Sequence, residues 1–243
     1  MIDIVTVQGV GEKVGQPQSR MAEYVLEHLN HSQFREVPVT DYVTVGPVGV
    51  NPGPALQTAV DRVKASTLDV IDRTPNPAVL VGYSGGAMVA HRVADEVGRG
   101  LHPHLDVRGV VLIADPLMPR GVTPAGYGVA GDGPMSLTMP TKWLWDTQDP
   151  ICCAGDPSPL HTLSDQIMAM CLGAPDVWAQ DLIDRLRSGR WQPTAWNWLD
   201  LFGTFRRYSR AIDQMGFYLT GGHFEAYRYR GHEAAAWIRQ VTA

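Results

Sequence analysis

Cysteine is scarce in this chain: three in 243 residues, at Cys152, Cys153 and Cys171. Their spacing matches no zinc-binding pattern, so no structural metal is expected. Buried or free thiols are the simple reading, and a bridge from Cys171 to Cys152 or Cys153 would still leave one cysteine unpaired. Basic charge is short as well, with 20 Lys and Arg against 25 Asp and Glu and a formal net charge of -5. That balance speaks against nucleic acid as the main partner. No stretch is long and apolar enough to cross a bilayer. Met1-Ile2-Asp3-Ile4-Val5 has neither the basic nor the apolar region of a signal peptide, so the protein is expected to stay in the cytosol that makes it unless another factor releases it. Internal repeats and low-complexity tracts are missing too. A chain of this length suits one large domain, able to bury a full core without disulfides or metals.

Against those absences stands Gly82-Tyr83-Ser84-Gly85-Gly86. It follows a β-branched run ending at Val81 and precedes a helical pattern from Ala87. A serine on a sharp strand-to-helix turn is lifted clear of the sheet, where base and substrate can reach its hydroxyl. A merely structural turn is the alternative, and the flanking strand and helix favour the nucleophile.

The rest of the chain alternates strand and helix signals. Strands are expected at Ile2–Val7, Val37–Val45, Val79–Val81, Val107–Ala114 and Thr141–Trp145. Helices are expected over Ser19–His31, Ala55–Arg73, Ala87–Val97 and Glu233–Val241, with Asn51-Pro52-Gly53-Pro54 as punctuation. Such alternation implies an α/β fold with a mostly parallel sheet, whose ligands bind beyond the carboxyl ends of the strands. Pro119–Pro140, rich in Gly and Pro, reads as a long surface loop near those ends. From about Gly155 to Thr220 strand signals fade, and a helical insertion is expected within the single domain 1–243. Trp178, Trp191, Trp196 and Trp198 concentrate there. Packing of the insertion is the simpler account of them; an apolar platform for a lipid-like ligand is the other.

A serine hydroxyl needs a base, and the base needs a carboxylate to hold its tautomer. On α/β-hydrolase-type sheets the chain order is Ser, then Asp or Glu, then His. His28, His31, His91, His102 and His104 fail that order and read as surface or packing histidines. His161, His223 and His232 remain. His223 leads, because it follows Gly221-Gly222 in what reads as a loop ahead of the last helix. His161 is second, and His232 reads as surface or capping polarity. Among the acids, Asp149 follows the strand after next and is preferred over Asp115, Asp146 and Asp156; Asp115 precedes Pro116 and also suits a plain turn. Two backbone donors are needed for an oxyanion, one at Gly85 and one in Gln8-Gly9-Val10-Gly11, where Val10 is the candidate.

Val5-Thr6-Val7-Gln8-Gly9-Val10-Gly11, Gly82-Tyr83-Ser84-Gly85-Gly86-Ala87 and Asp149-Pro150-Ile151-Cys152 resemble the cutinase-type serine esterases. The resemblance implies an α/β-hydrolase fold, with Asp149 as the catalytic acid and Cys152 at the family's cysteine position. Gln148 replaces that family's glycine, and Trp145 stands where the bridging cysteine would be. In cutinases the base follows the acid closely, which would favour His161. A closer resemblance is to lysin B, the mycobacteriophage lytic esterases, which insert a helical linker between acid and histidine and so favour His223. Asp115-Pro116-Leu117-Met118-Pro119-Arg120-Gly121 and Gly126-Tyr127-Gly128 also resemble that family. It implies hydrolysis of the ester joining mycolic acids to arabinogalactan, by a protein that accumulates in the host cytoplasm and escapes at lysis. No metal or organic cofactor is implied. Some members carry an extra N-terminal wall-binding region, whereas this chain is expected to begin at the first core strand.

Overall fold

A computed structural model describes residues 1–10, 12, 19–44, 56–136, 138–169 and 197–243. The Asn51–Pro54 turn, Gly11, Cys171, Trp178, Trp191 and Trp196 lie outside the described residues.

Five strands form one sheet: β1 (Ile2–Val7), β2 (Phe34–Pro38), β3 (Ala78–Tyr83), β4 (Val107–Ile113) and β5 (Thr141–Leu144). Their order is β2-β1-β3-β4-β5, and every pair is parallel. Helices α1 (Arg20–Leu26), α2 (Leu56–Arg73) and α3 (Gly85–Gly98) alternate with the first strands. The short α4 (Pro150–Cys153), α5 (Pro159–Ala169), α6 (Leu201–Leu219), α7 (Gly222–Arg228) and α8 (Gly231–Val241) follow β5.

Side chains alternate across a strand, so a sheet covered on both faces needs strands that are apolar throughout. β3 and the end of β4 meet that condition, with every residue of β3 buried. Val5, Val7, Leu80, Val110 and Leu112 pack under α2 and α3 on one face. Ile4, Val79, Val81, Val111 and Ile113 pack under α1, Tyr227 of α7 and α8 on the other. The result is the expected α/β-hydrolase-type architecture: a parallel sheet with helices on both faces.

Boundaries differ from expectation where pairing or capping decides them. The second strand was expected at Val37–Val45 but runs Phe34–Pro38, in register with Ile2–Thr6 of β1. Pro38, which cannot donate to a ladder, ends it on the sheet's edge. α1 starts where Ser19 accepts from the Ala22 N–H at 3.2 Å. It stops at Leu26 rather than His31, since the next turns tighten to three-residue bonds from His28 to Val25 and from Leu29 to Leu26. Pro119–Pro140 is irregular as expected, and Tyr127 makes an isolated antiparallel bridge to Ala154 just after α4.

Candidate active site

β3 delivers Ser84 at the carboxyl end of the sheet. The residue adopts φ 53°, ψ -118°, a conformation that L side chains rarely take. Its N–H donates to Ile113 O at 2.9 Å, and its carbonyl accepts from Met88 N–H at 3.1 Å, so strand β4 and helix α3 both hold the turn. The two outer glycines have steric reasons. A Cβ at Gly82 would sit 2.5 Å from the carbonyl oxygen of Gly86, and one at Gly86 would collide with the carbonyls of Val7 and Gln8. The turn therefore exists only where α3 can press against β1's exit without side chains between them.

His223 Nε2 lies 3.0 Å from Ser84 Oγ. Its Nδ1 lies 2.8 Å from Asp149 Oδ2. A carboxylate oxygen only accepts, so Nδ1 carries the proton and Nε2 presents a lone pair to the serine O–H. Asp149 is fully buried. Its Oδ1 accepts from Ile151 N–H at 3.0 Å, capping α4, while Tyr227 O–H donates to Oδ2 at 2.7 Å. His223 was expected in a loop; it stands instead in the first turn of α7. Gly221, at φ 90°, ends the approach from α6 and lets α7 begin at once.

Aromatic rings position the imidazole from several sides. Tyr83 stacks on it at 5.1 Å between ring centroids, Tyr218 of α6 lies at 5.0 Å, and Tyr227 meets it edge-on. Tyr83 O–H donates to the His223 carbonyl at 3.1 Å. Burial, reinforced by the nearby Asp149 charge, holds the Tyr83 phenol well above its ordinary range, so it stays a donor. Burial and the neighbouring Cys152 and Asp149 do the same for Tyr227. Sequence reasoning missed all three tyrosines. Only Tyr83 carried a signal, as the variable residue of the serine motif.

The two proposed oxyanion donors are neighbours. A Cβ on Gly85 would sit 2.9 Å from Val10 Cγ2. Gly85 opens α3, where first-turn N–H groups have no acceptor within the helix. Glu12, unremarked in the sequence, braces the other loop: its carboxylate accepts from Gly9 N–H at 2.6 Å, Ser19 O–H at 2.9 Å and Met21 N–H at 2.8 Å.

The competing residues are used elsewhere. His161 is buried and stacked on Tyr127 at 4.0 Å; burial, with the nearby Arg120 charge, lowers its pKa to about 4. His232 Nδ1 sits 3.0 Å from Tyr229 O on the surface. Asp146 accepts from Gln148 N–H at 2.8 Å, and Asp156 pairs with Arg120. Asp115 does cap a turn, accepting from Leu117 N–H at 2.9 Å, but it also binds His91 Nδ1 at 2.6 Å. His91, read as surface or packing polarity, is thus half of a buried pair, its Nε2 facing Pro134 O at 2.8 Å. Cys152 and Cys153 are free thiols. Cys152 Sγ lies 3.3 Å from Tyr227 O–H, and Trp145 packs against the pair. Among the described residues no His, Cys, Asp and Glu cluster could hold a metal, and no helix is long and apolar enough to cross a membrane.

No protein-family model matches the chain, and no curated protein matches it. Solved structures do resemble it. An acetylxylan esterase shares 19% identity over 75% of this chain and 95% of its own, with a TM-score of 0.43. A cutinase-like protein from Cryptococcus sp. shares 19% over 76% of this chain and 94% of its own, at 0.41. A Trichoderma reesei cutinase bound to a phosphonate inhibitor shares 18% over 75% of each chain, at 0.40. Likeness at this distance assigns the chain to none of them.

Proposed function

We propose that this protein is a serine carboxylic-ester hydrolase, with Ser84 as nucleophile, His223 as base and Asp149 as the acid that orients it. The carrying observation is the continuous relay from Ser84 Oγ through both ring nitrogens of His223 to a buried carboxylate. His223 Nε2 takes the serine proton as Oγ attacks the ester carbonyl. The backbone N–H groups of Gly85 and Val10 receive the developing oxyanion. Collapse expels the alcohol, protonated by the imidazolium. Water, deprotonated by the same ring, then attacks the acyl-enzyme and releases the acid. Asp149 stays ionised throughout. No cofactor takes part.

For the substrate we propose the ester between mycolic acids and arabinogalactan, cleaved during phage lysis after the protein has accumulated in the host cytoplasm and been released to the wall. Two features support this reading: the resemblance of the motifs to lysin B, and the sequence offset of 74 between Asp149 and His223, which leaves room for a helical linker. Simple acyl esters are the second enzymatic reading, and a non-catalytic wall- or lipid-binding scaffold is the reading of another class.

Ser84→Ala should lower turnover by about 10⁴-fold or more while the protein stays folded. A variant retaining most activity would remove Ser84 from the mechanism. His223→Ala should be equally inert and His161→Ala active; the reverse result would move the base to His161. Release of free mycolic acid from mycolyl-arabinogalactan, compared with cleavage of short p-nitrophenyl esters, separates the two enzymatic readings. A scaffold without catalysis would leave Ser84 unlabelled by a fluorophosphonate.

A further inference from the structure

The tyrosines around the His223 imidazole differ in what their hydroxyls do. Tyr83 is 5% exposed and donates to the His223 carbonyl at 3.1 Å. Tyr227 is 1% exposed and donates to Asp149 Oδ2 at 2.7 Å. Tyr218 is 38% exposed, and among the described residues its hydroxyl has no hydrogen-bond partner. Its ring still lies 5.0 Å from the imidazole between centroids, tilted by 37°. Burial of the phenol, with the nearby Asp149 charge, raises its pKa, so the hydroxyl stays a donor.

The corner between α6 and α7 keeps Tyr218 there. A Cβ on Gly222 would sit 2.6 Å from the Phe217 ring, so the first residue of α7 lies directly against the residue before Tyr218. Gly221 turns the chain at φ 90°. One helical turn back, Gln214 Nε2 donates to Cys153 O at 2.9 Å, which fixes α6 on α4, the helix that Asp149 caps. The elements that hold the acid therefore also set Tyr218 beside the base.

Chemistry decides which part of an ester meets that ring. The leaving oxygen takes its proton from His223 Nε2, so the alcohol portion lies against the solvent-facing flank of the imidazole. Asp149, Tyr83 and Tyr227 are buried and cannot meet it. Tyr218 can. A tyrosine with a free hydroxyl offers an apolar face and a polar tip, which suits a group apolar on its faces and hydroxylated along its edges.

We propose that Tyr218 forms an alcohol-side subsite for a polyol such as a sugar, and that through it the protein transfers acyl groups to polyols as well as to water. The proposal rests on the esterase reading and deepens it on the alcohol side. The added step is acylation run backwards. A hydroxyl of the bound polyol gives its proton to His223 Nε2 as its oxygen attacks the acyl-enzyme carbonyl. The intermediate collapses, the bond from the carbonyl carbon to Ser84 Oγ breaks, and Nε2 returns the proton to Oγ. A new ester leaves, and nothing besides the alcohol is consumed.

The test gives the full chain p-nitrophenyl butyrate with methyl arabinofuranoside as acceptor, and separately with 1-propanol, which has a single hydroxyl and no ring. The quantity read is butyryl ester formed on the acceptor per butyrate released. Both branches leave one acyl-enzyme and use one base, so loss of folded protein or of His223 alignment cancels from the ratio. The parent should form the glycoside ester. Tyr218→Phe should lower the glycoside ratio about threefold, the effect of one neutral hydrogen bond. Tyr218→Ala removes the ring face as well and should lower it about tenfold or more. Both variants should leave the 1-propanol ratio within about twofold of the parent. An unchanged glycoside ratio in both variants would overturn the proposal, as would an equal fall for the two acceptors or a parent that makes no glycoside ester. Failure of the esterase reading would show separately, as p-nitrophenol release no greater than that of Ser84→Ala and no labelling of Ser84 by a fluorophosphonate, and would take this proposal with it.

Discussion

Asp149 receives three donors: His223, Tyr227 and its own helix's Ile151 N–H. The Tyr227 bond shares Oδ2 with the imidazole, so the phenol fixes where that oxygen sits and, through it, the ring. In the proposed mechanism Tyr227 is a positioning residue. Tyr227→Phe removes one hydroxyl from a fully enclosed place, and it should lower kcat about tenfold while KM holds, with a stability cost of about 1 kcal/mol. Steady-state kinetics beside a denaturation curve would separate the two effects: equal loss of kcat and of folded protein would reduce Tyr227 to packing. Serine, acid and base candidates were legible because motif, strand ends and chain order narrow them. The tyrosines were not, because nothing in a sequence says which ring will lie over an imidazole 140 residues away.

Elements were legible to the extent that their own residues decide them. β3 and β4 carry apolar runs that could only be buried, and α2 shows its apolar period plainly. β2 was displaced because an edge strand is defined by its register with its neighbour, and α7 was hidden because Gly221-Gly222 reads as a break. The break is real, yet it separates two helices rather than opening a loop. The contact of α3 with the end of β1 is the tightest element packing at the site, since Gly86 lies against the carbonyls of Val7 and Gln8. Backbone atoms cannot move aside as side chains do. Gly86→Ala should therefore destabilise the fold by about 2 kcal/mol or more and misplace both Ser84 and the Val10 loop. A urea midpoint unchanged from the parent would contradict that packing.

At the scale of the whole molecule, two buried histidines set opposite limits on stability. His161 has its pKa lowered to about 4 in the fold, against an ordinary 6.5, because burial and Arg120 disfavour its charge. The unfolded chain binds the proton first, so this contribution is complete above about pH 6.5 and fades as the pH falls toward 4. His91 runs the other way. Burial disfavours its charge, but Asp115, the Pro134 carbonyl and Asp95 outweigh that and raise its pKa. Its contribution is complete below about pH 6.5 and is lost as the pH climbs through the raised value. Denaturation midpoints should peak near neutrality. His161→Gln should flatten the acid limb, and His91→Gln should flatten the alkaline limb while costing about 3 kcal/mol for the stranded Asp115. Unchanged limbs in both variants would show that other groups govern the profile.

The sequence by itself determined the class of sheet, the serine turn and a short set of partners, because apolar period, glycine spacing and chain order are local or ordered properties of the chain. Which histidine faces Ser84, which carboxylate faces that ring, and that His91 and Asp115 pair with each other were decided only by tertiary structure. Those outcomes depend on distances between residues on different elements, and the packing of helices on both faces of the sheet sets such distances.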